Sequence, residues 1–184
     1  RISAGAPGSG VEADVRALFD VAGMTYKDAK VDFLDFNNTT SRFKDGQIDA
    51  GFVVAGYPTA SIMDLATLKD VDLVNFSDEF MAKLSAKYPF FAKSIIPAGT
   101  YTGVDHDTQT PAVMAMLVCR EDLPEELVYK LTKAFWENVR DLDKVHAKAK
   151  NITLETALEG LSVPLHAGAA KYYAEVGLEI PELQ

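Results

Sequence analysis

The 184 residues include one cysteine, one tryptophan and three histidines, so disulfide and imidazole chemistry have few side chains to draw on. A single thiol, Cys119, excludes an internal disulfide and leaves the redox compartment unread. It lies in the apolar stretch AVMAMLVC, which makes a buried, inert thiol the expectation. No apolar run approaches the ~18 residues that a membrane-spanning helix needs. Nothing reads as a secretory leader, and Arg1 opens what looks like a strand, so the expectation is that an upstream segment has been removed. Cations are also scarce: 18 Lys and Arg stand against 27 Asp and Glu, a net charge of −9. That balance argues against nucleic acid and anionic membrane surfaces as partners. It still admits a small anion in a locally positive pocket.

Catalytic and metal chemistry are equally thin. Asp105, His106 and Asp107 mix metal-ligand types, but adjacent residues point in different directions, and a solvated loop is the expectation. His146 falls on a charged helical stretch. His166 precedes a helix start, where capping or packing suits it better than catalysis. No set of acid, base and nucleophile assembles, so no enzyme, cofactor or metal site is expected.

The chain does have apolar periodicity. Hydrophobic residues make up 48% of it, enough for a sizeable core. Arg1–Ala4 reads as a strand. Val11, Val15, Leu18, Phe19 and Ala22 then mark one helix face, with Ser9 and Glu12 at capping-box spacing and Gly23 as the stop. VDFLDF reads as a strand and NNTTSRFKDG as a short, Asn-capped helix. IDAGFVVA reads as a strand buried on both faces. GYPTASIMDLAT starts another helix, with Pro58 in its first turn. VDLVNF is expected as a strand and SDEFMAKLSAKY as a helix. This βαβαβαβα order predicts a parallel sheet with covered faces. AKSIIPAGTYTGVDHDTQ is turn-rich, and TPAVMAMLVC is expected as a further strand. PEELVYKLTKAFWENVRDL follows as a long amphipathic helix, and Leu127, Leu131, Phe135 and Trp136 require an apolar surface to cover. Strands fill the first two-thirds and helices the last third. The boundary is placed near Thr110–Val113, giving an α/β lobe over 1–112 and a returning strand with helices over 113–184.

Two strand-to-helix turns carry the functional reading. GAPGSG, Gly5–Gly10, has proline where a nucleophile elbow needs glycine, lacks the Gly-Lys-Ser/Thr of a Walker loop, and has the wrong spacing for a dinucleotide fingerprint. A tight turn without ligand and an anion-holding helix start both fit its spacing. VVAGYPTAS has the same form, a buried strand, Gly56, then a helix start, with Tyr57 as a ring wall and Thr59 as a hydroxyl donor. In an open parallel sheet both turns fall at the carboxyl ends of strands, where ligands bind.

Taken together, GAPGSGVE, DGQIDAGFVVAGYPTASIMDLA, YPFFAKSIIPAGTY and PLHAGAAKYYAEVG resemble, in order along nearly the whole chain, the TAXI-type solute receptors of TRAP transporters. The resemblance implies an α/β fold of the type II periplasmic binding proteins. In it, 1–112 is one complete parallel-sheet lobe, and 113–184 is the helical C-terminal part of the other lobe, whose N-terminal half would precede Arg1. It implies a periplasmic or otherwise extracytoplasmic receptor. Such a receptor closes two lobes on a small carboxylate or an amino acid such as glutamate and delivers it to integral membrane subunits. The site residues carried over are Ala6, Gly8, Ser9 and Gly10 on one turn and Gly56, Tyr57, Pro58 and Thr59 on the facing one, with Tyr101 of GTYTG near the hinge. An exposed half-lobe would favour self-association. The alternative is the ligand-sensing effector domain of a transcriptional regulator, which shares the two-lobed fold and would announce itself by a helix-turn-helix upstream.

Overall fold

Ile2 and Ser3 form the central strand of a small parallel sheet in a computed structural model that describes residues 1–181. β1 (Ile2–Ser3) pairs with β2 (Val31–Asp32) on one side and β3 (Ala50–Gly51) on the other, in register Ile2↔Val31 and Ile2↔Ala50. Each strand feeds a helix: α1 (Gly10–Val21), α2 (Phe36–Lys44) and α3 (Ala60–Ala66). The architecture is mixed α/β, with helices following the strands of the parallel sheet. α2 lies close on the sheet because Gly51 has no side chain, since a Cβ there would meet Thr39 Cγ2 at 2.7 Å. The buried hydroxyls of Ser3 and Thr39 satisfy each other at 2.6 Å.

The apolar face of α1 serves two clusters. Val11 and Val15 pack with Ala4, flanked by Phe19, Tyr26 and Phe52. One turn on, Ala17 and Leu18 pack with Leu84 of α4 (Asp78–Lys87) and with Phe91. Phe91 opens β4 (Phe91–Ile96), which pairs antiparallel with β5 (Thr108–Val113) from Phe91↔Val113 to Ile96↔Thr108. The connecting loop folds Tyr101 and Val104 into a third cluster with Ala66.

The observed strands depart from the expected ones in five places, the first being VDFLDF, of which only Val31–Asp32 is strand while Phe36 already opens α2. The turn-rich reading of 92–109 hid β4, whose alternation of buried and exposed residues is blurred by Lys93 and Ser94. Residues 71–76 form no strand. Beside β5 they exchange one backbone bond, Phe76 N–H to Gln109 O at 3.0 Å. The other bonds use side chains: Asn75 Oδ1 accepts from Gln109 N–H, and the Gln109 amide donates to Phe76 O. IDAGFVVA yields only Ala50–Gly51 as strand, and Val54 is exposed. TPAVMAMLVC ends as strand at Val113, because β4 begins at Phe91 and leaves Met114 onward without a partner in the hairpin. Cys119, expected to be buried, is therefore exposed. Finally, α2 is capped two residues earlier than expected, by Asp35, and Pro58 precedes the Thr59 cap rather than entering the first turn of α3.

The chain divides into two compact units, Arg1–Val113 and the part from Met114 onward. In the second, α5 (Glu125–Asn138) packs on α6 (Ala167–Glu175), with short 3-10 turns at Val139–Lys144 and Ala147–Asn151 between them. Gly168 makes the close approach possible, since a Cβ there would lie 2.2 Å from Glu125 O. Tyr129 meets Tyr172 edge-on, and Trp136 donates its indole N–H to Tyr173 Oη at 3.2 Å. Of the apolar residues expected to seek cover on α5, Trp136 finds it there, while Leu127, Leu131 and Phe135 are exposed.

Candidate functional site

β1 and β3 are parallel neighbours, so the turns that follow them leave the same carboxyl edge of the sheet. That edge is where open α/β sheets bind ligands. Three helices start there, α1 after GAPGSG, α2 after Asp35 and α3 after GYPT.

The first turn is built locally. Gly5 has φ +87°, and a methyl group on it would sit 2.6 Å from Val11 Cβ, so both conformation and space require glycine. The Ser9 N–H closes the turn on Ala6 O at 3.1 Å, and Ser9 Oγ caps α1 by accepting the Glu12 N–H at 3.2 Å. Glu12 does not return the favour to Ser9, as the usual capping box would have it. Because the Ser9 N–H is already bonded, the Glu12 carboxylate accepts from Gly8 N–H instead, at 2.7 Å. Its other oxygen pairs with Arg16, whose guanidinium stacks 4.8 Å over the Tyr26 ring. The Gly8 amide first, and then Arg16, hold the Glu12 carboxyl below the usual carboxylate range. Of the turn's amides, Gly8 and Ser9 are thus committed within the protein. Gly10 and Val11 N–H have no acceptor among the described residues, and they sit at the positive end of α1.

The second turn is held from a distance. The Tyr57–Pro58 peptide is cis. Tyr57 Oη donates to Ile95 O on β4 at 2.9 Å. Thr59, the cap of α3, makes no side-chain cap bond, and its hydroxyl donates back to Gly56 O at 3.1 Å. Its N–H donates to the hydroxyl of Tyr101 at 3.0 Å. Tyr101, expected beside the ligand, lies under the turn with 3% of its surface exposed. Two residues beyond Thr59, Ser61 Oγ is buried with no hydrogen-bond partner among the described residues.

The sequence reading missed Asp35, and it paired the Glu12 side chain with Ser9 where the structure gives it to Gly8. Asp35 caps α2 by accepting from Asn38 N–H at 2.8 Å, which places an exposed carboxylate at the same edge. The Asp-x-x-Asn spacing at the end of VDFLDF was the available signal. Elsewhere, the polar candidates have structural work. His106 Nε2 meets Asp72 Oδ1 at 2.8 Å on the surface, and that bond raises its pKa above the ordinary histidine value. His166 caps α6, its Nδ1 accepting from Gly168 N–H at 3.1 Å while Nε2 faces Leu123 O at 3.0 Å. The proton of the neutral ring therefore sits on Nε2.

A sequence model described as the NMT1-like family matches residues 1–177, a span that takes in both glycine turns, Tyr101 and all six helices. Proteins of that family are periplasmic-binding-protein-like and are used in solute binding rather than catalysis. They bind small molecules and are typically extracytoplasmic. No helix among the described residues is long and apolar enough to cross a membrane.

Proposed function

The chain belongs to the NMT1-like family, and we propose that it serves as part of the extracytoplasmic receptor of a TRAP-type transporter, of the TAXI type. In this reading it captures a small carboxylate or an amino acid such as glutamate and hands it to integral membrane subunits. Residues 1–112 are the lobe that carries both turns, and 113–184 are the returning strand and helical C-terminal part of the other lobe. Ala6, Gly8, Ser9, Gly10, Gly56, Tyr57, Pro58 and Thr59 form its ligand-facing edge.

The observation that carries this reading is the shared edge. Two glycine-containing turns leave neighbouring parallel strands, and the first ends on amides without acceptors at the positive end of a helix. Such amides suit a carboxylate, which brings several acceptor lone pairs and a negative charge to the dipole. Gly8 and Ser9 shape the turn, with their own amides engaged, and the donors are Gly10 and Val11.

A thermal-shift panel on the full gene product, with L-glutamate, L-glutamine and four- and five-carbon dicarboxylates, tests the proposal. A true ligand at a hundredfold excess over Kd stabilises the folded state by about 2.7 kcal/mol, a readily visible rise in Tm. No rise with any carboxylate or amino acid would sink it.

A further inference from the structure

The reading of GYPT as ligand-facing leaves open what holds that turn in shape. α3 begins without the usual device: the Thr59 side chain makes no cap bond and its hydroxyl is turned back to Gly56 O. Two bonds that hold the turn come from residues 38 and 42 positions away. Tyr101 sits on the β4–β5 loop with its ring packed against Ala66 and Val104, and it is 97% removed from solvent (3% exposed). Its hydroxyl oxygen accepts the Thr59 N–H at 3.0 Å. The Tyr57 hydroxyl donates to Ile95 O at 2.9 Å, on the strand that leads into the same loop.

We propose that Tyr101 is a positioning residue for the GYPT turn. Its buried phenol oxygen takes the place of a helix cap. Together with the Tyr57–Ile95 bond it fastens the turn to the β4–β5 hairpin, so that the ligand-facing shape of GYPT is set by the hairpin. Buried as it is, Tyr101 acts through Thr59 and does not touch the ligand. The bond is partly buried, so water replaces the lost acceptor of the Thr59 amide only in part, whereas a fully exposed amide falls back on water. The effect of removing the phenol oxygen is therefore concentrated at Thr59.

Tyr101→Phe keeps the packed ring and removes only the oxygen. The measurement is amide exchange by NMR on the full gene product, with L-glutamate titration alongside. Exchange of the Thr59 amide is expected to rise by roughly fivefold or more, the factor that a typical net hydrogen bond is worth. The ladder amides Ile96 and Thr108 should stay as protected as in the wild type, and L-glutamate affinity should fall by a similar factor. Tyr88→Phe is the control. It removes a phenol that donates to Asp20 Oδ2 at 2.7 Å in the same unit, and should leave Thr59 exchange unchanged. Unchanged Thr59 exchange in Tyr101→Phe, or an equal rise in Tyr88→Phe, would overturn the proposal. So would faster exchange with unaltered glutamate affinity in a protein that binds glutamate. If the wild-type protein binds no glutamate, the ligand reading falls alone and Thr59 exchange still decides the positioning role.

Discussion

The two glycine turns perform the same topological task, carrying neighbouring parallel strands into helices, and they are stabilised in opposite ways. GAPGSG is held by its own neighbours: Ser9 caps Glu12, and Glu12 reaches back to Gly8, all within five residues. GYPT is held by Ile95 and Tyr101 on a hairpin that forms only once the chain has gone on through α4. A locally closed turn keeps its shape as long as its helix exists. A turn closed by tertiary bonds keeps its shape only while a separate element is in place, and it can shift when that element shifts. In a protein that must accept and release a solute, this gives the edge one fixed wall and one wall whose shape is conditional.

The largest expected effect breaks the fixed wall. Gly5→Ala places a methyl group 2.6 Å from Val11 Cβ at φ +87°. Left-handed strain and overpacking together should cost about 3 kcal/mol in urea unfolding. Gly8→Ala shares the positive φ but meets nothing within 4 Å, so only the strain remains, about 1 kcal/mol. Equal losses at the two positions would mean that the Gly5–Val11 approach does not limit the turn. Cap removal then sharpens the contrast between the walls. Ser9→Ala should lower stability by about 1 kcal/mol, because its hydroxyl caps α1. Thr59→Ala should cost less than about half of that, because its hydroxyl makes no cap bond. A Thr59→Ala loss matching that of Ser9→Ala would show α3 to be capped in solution in the ordinary way.

The same contrast explains what was legible in the sequence. The α1 face of Val11, Val15 and Leu18, its Ser9 cap and its Gly23 stop follow local rules, and the structure has them. The three βα turns at one edge follow from the alternation of strands and helices. The signals that failed were those whose meaning depends on a distant partner. Residues 71–76 have a strand's composition, yet Asn75 and Gln109 replace ladder bonds with side-chain bonds. The FAKSII stretch lacks clean alternation, yet it becomes a strand because β5 is there to pair with it. The apolar run from Met114 to Cys119 has no strand beside it in the hairpin, and its side chains are exposed. Tyr101 was recognisable as a residue of interest, but its contact with Thr59, 42 positions away, has no local signature.

The smallest effect, and the most selective, is electrostatic. The fixed wall depends on a carboxylate, while the bonds that tie GYPT to Ile95, Tyr101 and Gly56 run between hydroxyls, carbonyls and an amide. Glu12 has its folded-state pKa lowered by the Gly8 amide and then by Arg16. A depressed pKa means that the carboxylate's contribution is fully present above the ordinary glutamate value, about 4.3, and is lost as pH falls through the lower folded value. Protonation weakens the acceptor of the Gly8 N–H, so the Gly8 amide resonance should titrate with a midpoint below about 4.3. The Thr59 resonance should show no such step, because Thr59's own bonds are to the Tyr101 hydroxyl and the Gly56 carbonyl. Glu12→Gln should abolish the Gly8 step while keeping an oxygen acceptor in place. A Gly8 midpoint at or above the ordinary glutamate value would show that the bond to Glu12 is not formed in solution. A Thr59 step with the same midpoint would show that the two walls move together, and the distinction between a fixed and a conditional wall would not hold.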